Sequence, residues 1–164
     1  MKNIFYIFLL FSSLSFGQGA IEYYNKGIDK LVLKDYYGAI EEFNKSITFN
    51  PNFASAYINR GFAKQRLNDL YGALNDYTKA IQLEPNSPDG YLNHGTLKFE
   101  LKEYNSAIEN YTKAIELDPN LADAYFNRGI AKDNIGDFFG ACDDFKKASG
   151  LGNLEATNII KNCK

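Results

Sequence analysis

Between Tyr57 and Ile81 apolar and small residues fall at helical spacing on two successive stripes. The first is Tyr57, Gly61, Ala63 and Leu67; the second is Ala73, Leu74, Tyr77, Ala80 and Ile81. Polar residues fill the positions between them, so each segment predicts an amphipathic helix with one buried side. Asp69 lies just ahead of the second stripe, where a carboxylate can accept free backbone N–H groups. Pro85 lies just past its end, where it cannot continue the helix and sets a turn.

The same pattern returns every 34 residues, and counting from Ala20 gives units 20–53, 54–87, 88–121 and 122–155. The fourth position is Tyr23, Tyr57, Tyr91 and Tyr125; the eighth is Gly27, Gly61, Gly95 and Gly129. The twentieth is Ala39, Ala73, Ala107 and Ala141, and the twenty-fourth is Phe43, Tyr77, Tyr111 and Phe145. The twenty-seventh is Ser46, Ala80, Ala114 and Ala148; the thirty-second is Pro51, Pro85, Pro119 and, breaking the pattern, Asn153. A mid-helix glycine costs about 1 kcal/mol, which makes sense where another helix passes too close for a side chain. The aromatics then fill the wider gaps beside these approaches. Asp35, Asp69 and Asp137 are placed to cap second helices, and Glu103 fills that place less well. One helical pair cannot bury its apolar faces alone, whereas four stacked pairs can.

After Ala148 the pattern changes. The segment "SGLGNLEATNIIKNCK" loses the proline and predicts a last amphipathic helix over about 153–162, with Leu154, Ala156, Ile159 and Ile160 covering the open face of the fourth unit. Terminal repeats need such caps for solubility. No matching cap precedes Ala20, so the N-terminal edge is either a contact surface or simply tolerated.

A 34-residue period with an aromatic, Gly, Ala, a second aromatic and Pro at these offsets resembles the tetratricopeptide repeat (TPR). The resemblance implies an all-α, right-handed α-solenoid of four helix-turn-helix units, closed by the C-terminal capping helix and occupying 18–164. It also implies that the first helix of each unit lines a concave, ligand-holding groove. The sixth position is then a ladder of Asn25, Asn59, Asn93 and Asn127, whose amides could hold the N–H or C=O of an extended peptide, or could bond locally within the stack. Phe62, Arg66, Phe99, Glu100 and Phe126 stand beside that ladder, as do Tyr24, Ile28, Ile130 and Asp133. Such a mixed groove suits a peptide or partner helix better than a small metabolite. The family's carboxylate clamp for chaperone C-termini is not predicted. Asp89, Tyr24 and Asn93 stand where it needs basic residues, Ile28 stands where it needs Asn, and only Asn59 fits.

Charge and chemistry narrow the function further. Lys plus Arg number 18 and Asp plus Glu 20, a net charge of -2 with no basic block, so no cationic footprint for nucleic acid is expected. His94 is the only histidine, which leaves no metal cluster of the usual His and Cys spacing and no serine or cysteine triad. No enzymatic activity, cofactor or metal is therefore predicted. "NKS" at Asn44 and "NYT" at Asn110 match a glycosylation pattern but fall mid-helix. Residues 1–17 combine an early Lys, an apolar run from Ile4 to Phe11 and small residues before Gln18, which predicts a cleaved secretory signal. That run is short of the ~20 residues of a membrane span, so no stable span is predicted. The expectation is an exported protein, periplasmic or secreted, that binds protein as an adaptor or assembly factor of a bacterial cell envelope. The alternative is a structural subunit or homo-oligomer joined through the solenoid edge, with an empty groove.

Two details follow from aligning the units. Cys142 takes the inward place of Ile40, Leu74 and Ile108, and Cys163 ends the capping helix. In an oxidising compartment such a pair forms a disulfide, the alternative being one buried free thiol and one in a tail. Position seven reads Lys26, Arg60, His94, Arg128, while position twenty-three reads Glu42, Asp76, Asn110, Asp144. The charges change together, which predicts contact between the two helices of each unit. The alternative is that Arg60 and Arg128 reach the groove and hold an anionic partner.

Overall fold

The structure is a computed structural model that describes residues 18–163. The predicted secretory signal over 1–17 lies outside the described residues. Helix α1 covers 18–32. It is followed by α2 (Tyr36–Phe49), α3 (Ala54–Arg66), α4 (Leu70–Leu83), α5 (Pro88–Glu100), α6 (Tyr104–Leu117), α7 (Ala122–Asn134) and α8 (Phe138–Gly150). Helix α9 (Leu154–Ile159) runs into a 3-10 turn over Ile160–Asn162, so the predicted capping helix is shorter than expected. No strand occurs among the described residues. The chain divides into two compact units, one ending at Leu83 and the other beginning at Glu84.

Local chemistry sets the helix ends. Lys34, Asn68, Lys102 and Gly136, all at one register, take left-handed backbone angles of 57°, 64°, 60° and 82°. The next residue's N–H then reaches back to a first-helix carbonyl, as in Asp35 to Lys30 and Asp137 to Lys132, both at 2.9 Å. Asp35, Asp69 and Asp137 accept from the N–H of Gly38, Gly72 and Gly140 at 3.0, 2.9 and 3.0 Å. Glu103 makes no such cap, and its carboxylate is held by Lys98 at 2.7 Å instead. Between pairs, Asn50 and Asp118 accept from the backbone N–H two residues on, across Pro51 and Pro119.

The glycines and aromatics interlock across each pair. A Cβ built on Gly27, Gly61, Gly95 or Gly129 would lie 2.5, 2.8, 2.9 or 2.7 Å from the ring of Phe43, Tyr77, Tyr111 or Phe145. Position eight is therefore glycine because the ring at position twenty-four presses against that helix. Phe43 and Tyr77 are fully buried and Tyr111 nearly so. Full burial of one such side chain contributes on the order of 1.5–3 kcal/mol, which outweighs the propensity lost at the glycine.

In the first unit Ala39, Phe43 and Ala63 form a core with Tyr24, Ile28, Leu31, Tyr36 and Ile40 against it. Ser46 stands there in place of the alanine of the other repeats, and its buried hydroxyl donates to the Ala20 carbonyl at 2.7 Å. In the second unit Phe126, Ala141, Phe145, Ala148 and Ala156 form a core that Ile159, Ile160 and Cys163 close over. Leu154, expected to help cover this face, is 79% exposed instead. It precedes the first inward-facing position of a very short helix. Cys142 and Cys163 form a disulfide, with Cα atoms 5.7 Å apart, that ties the chain end to α8.

Candidate functional site

The first helix of each pair carries the expected groove residues, and the structure sorts them into several environments. In the first unit Asn59 spends both amide protons locally, donating to the Tyr24 hydroxyl at 2.9 Å and the Ser55 carbonyl at 3.1 Å. Its Oδ1 has no partner among the described residues and remains an acceptor. Tyr24 is itself wedged between Phe43 and Phe53, with ring centroids 5.8 and 4.8 Å away. Asn25 is exposed. Phe62 is 40% exposed on the same helix as Asn59, and the Arg66 guanidinium lies 5.9 Å from the Tyr36 ring. This face of the first unit thus offers an apolar ring, an amide acceptor and a cation.

In the second unit Asn93 donates to the Asp89 carbonyl at 2.8 Å, one turn back on its own helix. Phe99 packs against Tyr104 at 5.4 Å and stays partly open, while Glu100 is exposed. Asn127 is half-buried. Phe126, expected to line the groove, belongs instead to the core, 9% exposed and 5.9 Å from the Phe145 ring. The C-terminal segment closes over that core, so the ring has no open face to offer a ligand. Tyr111 is buried here as well, and burial raises its phenol to about 12, against a weak bond to the Thr96 hydroxyl.

Beside these faces lies a recurring polar tie that the aligned charges foretold in three repeats and missed in one. Arg60 forks onto Asp76, Nε to Oδ2 at 2.9 Å and Nη2 to Oδ1 at 2.6 Å, and Lys64 adds a contact at 2.8 Å. Arg128 repeats this on Asp144 at 2.8 and 2.7 Å, with Lys132 at 2.8 Å. Both aspartates are buried, at 3% and 4% exposure. His94 meets Asn110 at 3.0 Å in the third repeat. Asn110 commits its own N–H to Ser106, so its oxygen faces the ring and the neutral imidazole carries its proton on Nδ1. Burial holds the His94 value below the ordinary one, against the bond to Asn110. In the first repeat the pair does not form: Lys26 bonds Glu22 and Glu42 bonds Lys45. These contacts place Arg60 and Arg128 within the packing between helices.

Both glycosylation-type asparagines are engaged, Asn44 by Arg60 Nη1 at 2.7 Å and Asn110 by His94. Among the described residues no group of three or more His, Cys, Asp or Glu could hold a metal ion. No described helix is long and apolar enough to cross a membrane.

Comparison with known proteins gives a consistent picture. Residues 54–87 match the family model described as tetratricopeptide repeat, and 95–136 match the model described as TPR repeat. No curated protein sequence matches the chain. The crystal structure of MamA protein is similar with a TM-score of 0.76 and 25% identity, over 90% of this chain and 81% of MamA. MamA from residue 41 to its end, from Desulfovibrio magneticus RS-1, gives 0.72 and 23% over 80% of this chain and 75% of that one. The first TPR of Spaghetti (RPAP3), solved bound to the HSP90 peptide SRMEEVD, gives 0.70 and 24% over 73% and 95%. The chain thus matches tetratricopeptide-repeat models at 54–87 and 95–136 and shares the all-helical fold of these solved structures.

Proposed function

We propose that this protein binds a protein segment, a peptide or a partner helix, on the face made by the first helices of its repeats, and that it acts as an adaptor or assembly factor without catalysis of its own. One observation carries the reading: Phe62, a large apolar ring, stands open beside the unpartnered Asn59 Oδ1 and the Arg66 guanidinium. A ring contributes contact area and the amide oxygen accepts from a ligand backbone N–H, which together suit an extended or helical peptide. The peptide bound by the structurally similar Spaghetti (RPAP3) repeat supports the class of ligand. Because Asp89, Tyr24, Ile28 and Asn93 stand where a carboxylate clamp would need other residues, the ligand is recognised by its side chains rather than by a terminal carboxylate.

The secretory-type segment over 1–17 supports work outside the cytoplasm, in the periplasm or beyond, and with it a role in a bacterial envelope. The test is in-envelope crosslinking followed by mass spectrometry on the unaltered protein, Asn59→Ala with Asn93→Ala, and Phe62→Ala. Partner recovery should fall in the variants while helical circular dichroism stays unchanged. Undiminished recovery would move the binding surface elsewhere. A second reading, assembly through the N-terminal edge, is favoured by Val32 and Leu33, which are 76% and 74% exposed at the end of α1 and the turn after it. Substituting both by Ser and measuring mass in solution separates the two.

A further inference from the structure

Outside the residues of the Asn ladder, the last repeat holds a cavity of about 230 Å³ lined by Asp133, Phe138, Ala141, Cys142, Phe145, Ile159 and Cys163. Everything on that wall is apolar except the Asp133 carboxylate, which is exposed and has no hydrogen-bond or ion-pair partner among the described residues. An apolar cavity of about 150 Å³ suffices for a benzene ring, so this one takes a single large apolar side chain. Phe138, on its wall, is 63% exposed, so the cavity opens beside an apolar ring.

The other repeats show that this arrangement is particular to the fourth. At the register of Asp133 they carry Leu31, Gln65 and Phe99. Leu31 packs into the first core, Gln65 accepts from the Tyr77 hydroxyl at 2.8 Å, and Phe99 packs on Tyr104. Each of those side chains has a contact inside its own repeat. In the fourth repeat the ring is Phe145, with no hydroxyl to engage position twelve, and position twelve is a carboxylate left unbonded. Two of the cavity's walls, Cys142 and Cys163, are fixed to each other by the disulfide, so the opening is held in shape.

From this geometry we infer a second contact site, one that receives a polypeptide segment presenting a large apolar side chain next to a lysine or arginine. The apolar residue fills the cavity and the neighbouring cation meets Asp133. Exposed ion pairs contribute ~0–1 kcal/mol, so the cavity supplies most of the affinity and Asp133 supplies the preference. The site uses residues of the second unit only; it takes Asp133 from the expected groove register but does not depend on Asn59, Phe62 or Arg66.

The experiment titrates the full, oxidised chain with three acetylated and amidated peptides, Gly-Phe-Lys-Gly, Gly-Phe-Glu-Gly and Gly-Ala-Lys-Gly, following backbone amide chemical shifts. The first should move the amides of Ala141, Cys142 and Ile159, with affinity on the order of millimolar for so small a ligand. The second should bind roughly threefold to fivefold more weakly, the span of one exposed ion pair. The third should leave those amides unmoved. Asp133→Asn, an exposed change with no bond to lose, should make the Lys and Glu peptides equal. Equal binding of those two peptides to the unaltered chain, unchanged preference in Asp133→Asn, shifts that map elsewhere, or no shifts at all would each overturn the proposal.

Discussion

Removing one side of a buried charge tie should reveal how the repeats are held together, and the Arg60–Asp76 pair is the place to measure it. Asp76 is 3% exposed and takes three cationic contacts, two from Arg60 and one from Lys64. Arg60→Met removes both forks and the bond to Asn44, yet Lys64 still neutralises the aspartate. The loss should therefore fall below the ~3–5 kcal/mol of a stranded buried charge, at about 2–3 kcal/mol. Asp76→Leu leaves two cations whose side chains keep 17% and 20% exposure and can turn to water, so it should cost about 2 kcal/mol. The double variant replaces the tie by an apolar contact and should cost little more than either single, giving a coupling energy of about 2 kcal/mol. Denaturation by urea, with the slope checked for constancy, reads each value. Arg128→Met with Asp144→Leu should behave alike. His94→Ala with Asn110→Ala, a neutral pair, should couple by no more than about 1 kcal/mol. Coupling of Arg60 with Asp76 that is zero, or no larger than the neutral pair's, would refute the reasoning.

Three further outcomes follow from the same packing. Gly95→Ala sets a methyl 2.9 Å from the Tyr111 ring and 3.1 Å from Asn110 Cβ, so despite a helix gain of ~1 kcal/mol it should lower stability by about 1–2 kcal/mol in a urea melt. Cys163→Ser opens a bridge spanning 21 residues and should cost about 3 kcal/mol, seen as faster hydrogen exchange at the Ala156 amide before any change in α5 or α6. His94 is held neutral by burial below its ordinary 6.5, so the unfolded chain protonates first as pH falls. Stability should thus be full above about 6.5 and decline below it, and His94→Gln should flatten that decline; an identical slope in the variant would discount the histidine.

The helix pairs were legible because their cause is local and repeats in register. A glycine eight residues into each unit and a ring sixteen residues later are two halves of one contact, and the chain states it four times. The Arg–Asp ties were legible for the same reason, since the partners change identity together. Where that reasoning failed, a closer competitor was present. Lys26 and Glu42 have the right charges, but Glu22 and Lys45 lie one turn away on the same helices and take them. The candidate site was harder to read, because alignment gives a residue's register and not its surroundings. Phe126 shares the concave register yet is swallowed by the core that the short C-terminal segment closes. Asn59 was legible as a ladder position, but its bond to Tyr24 joins different repeats, and no periodic signal announces that. Ser46 did carry a signal, being the one hydroxyl in a column of alanines, and that departure marked the buried bond to Ala20.

The polar ties also show what distinguishes the repeats within each unit. Arg60 joins three helices, reaching Asp76 on α4 with one edge of its fork and Asn44 on α2 with Nη1. Arg128 does the same with Asp144 on α8 and Thr112 on α6 at 3.1 Å. Each arginine thus fastens the second repeat of its unit to the first, through position twenty-five of the earlier repeat. The first repeats of the two units carry Lys26 and His94 at that register, neither of which has a guanidinium fork to reach two partners at once. Lys64 and Lys132 then turn onto the buried aspartates, while Lys30 and Lys98, at the same register of the first repeats, turn to the acidic residue ahead of the second helix. Identical lysines take different partners because an aspartate at position twenty-three either is or is not there to receive them. A substitution in either Arg–Asp–Lys cluster should therefore loosen its own unit before it alters the helices of the other.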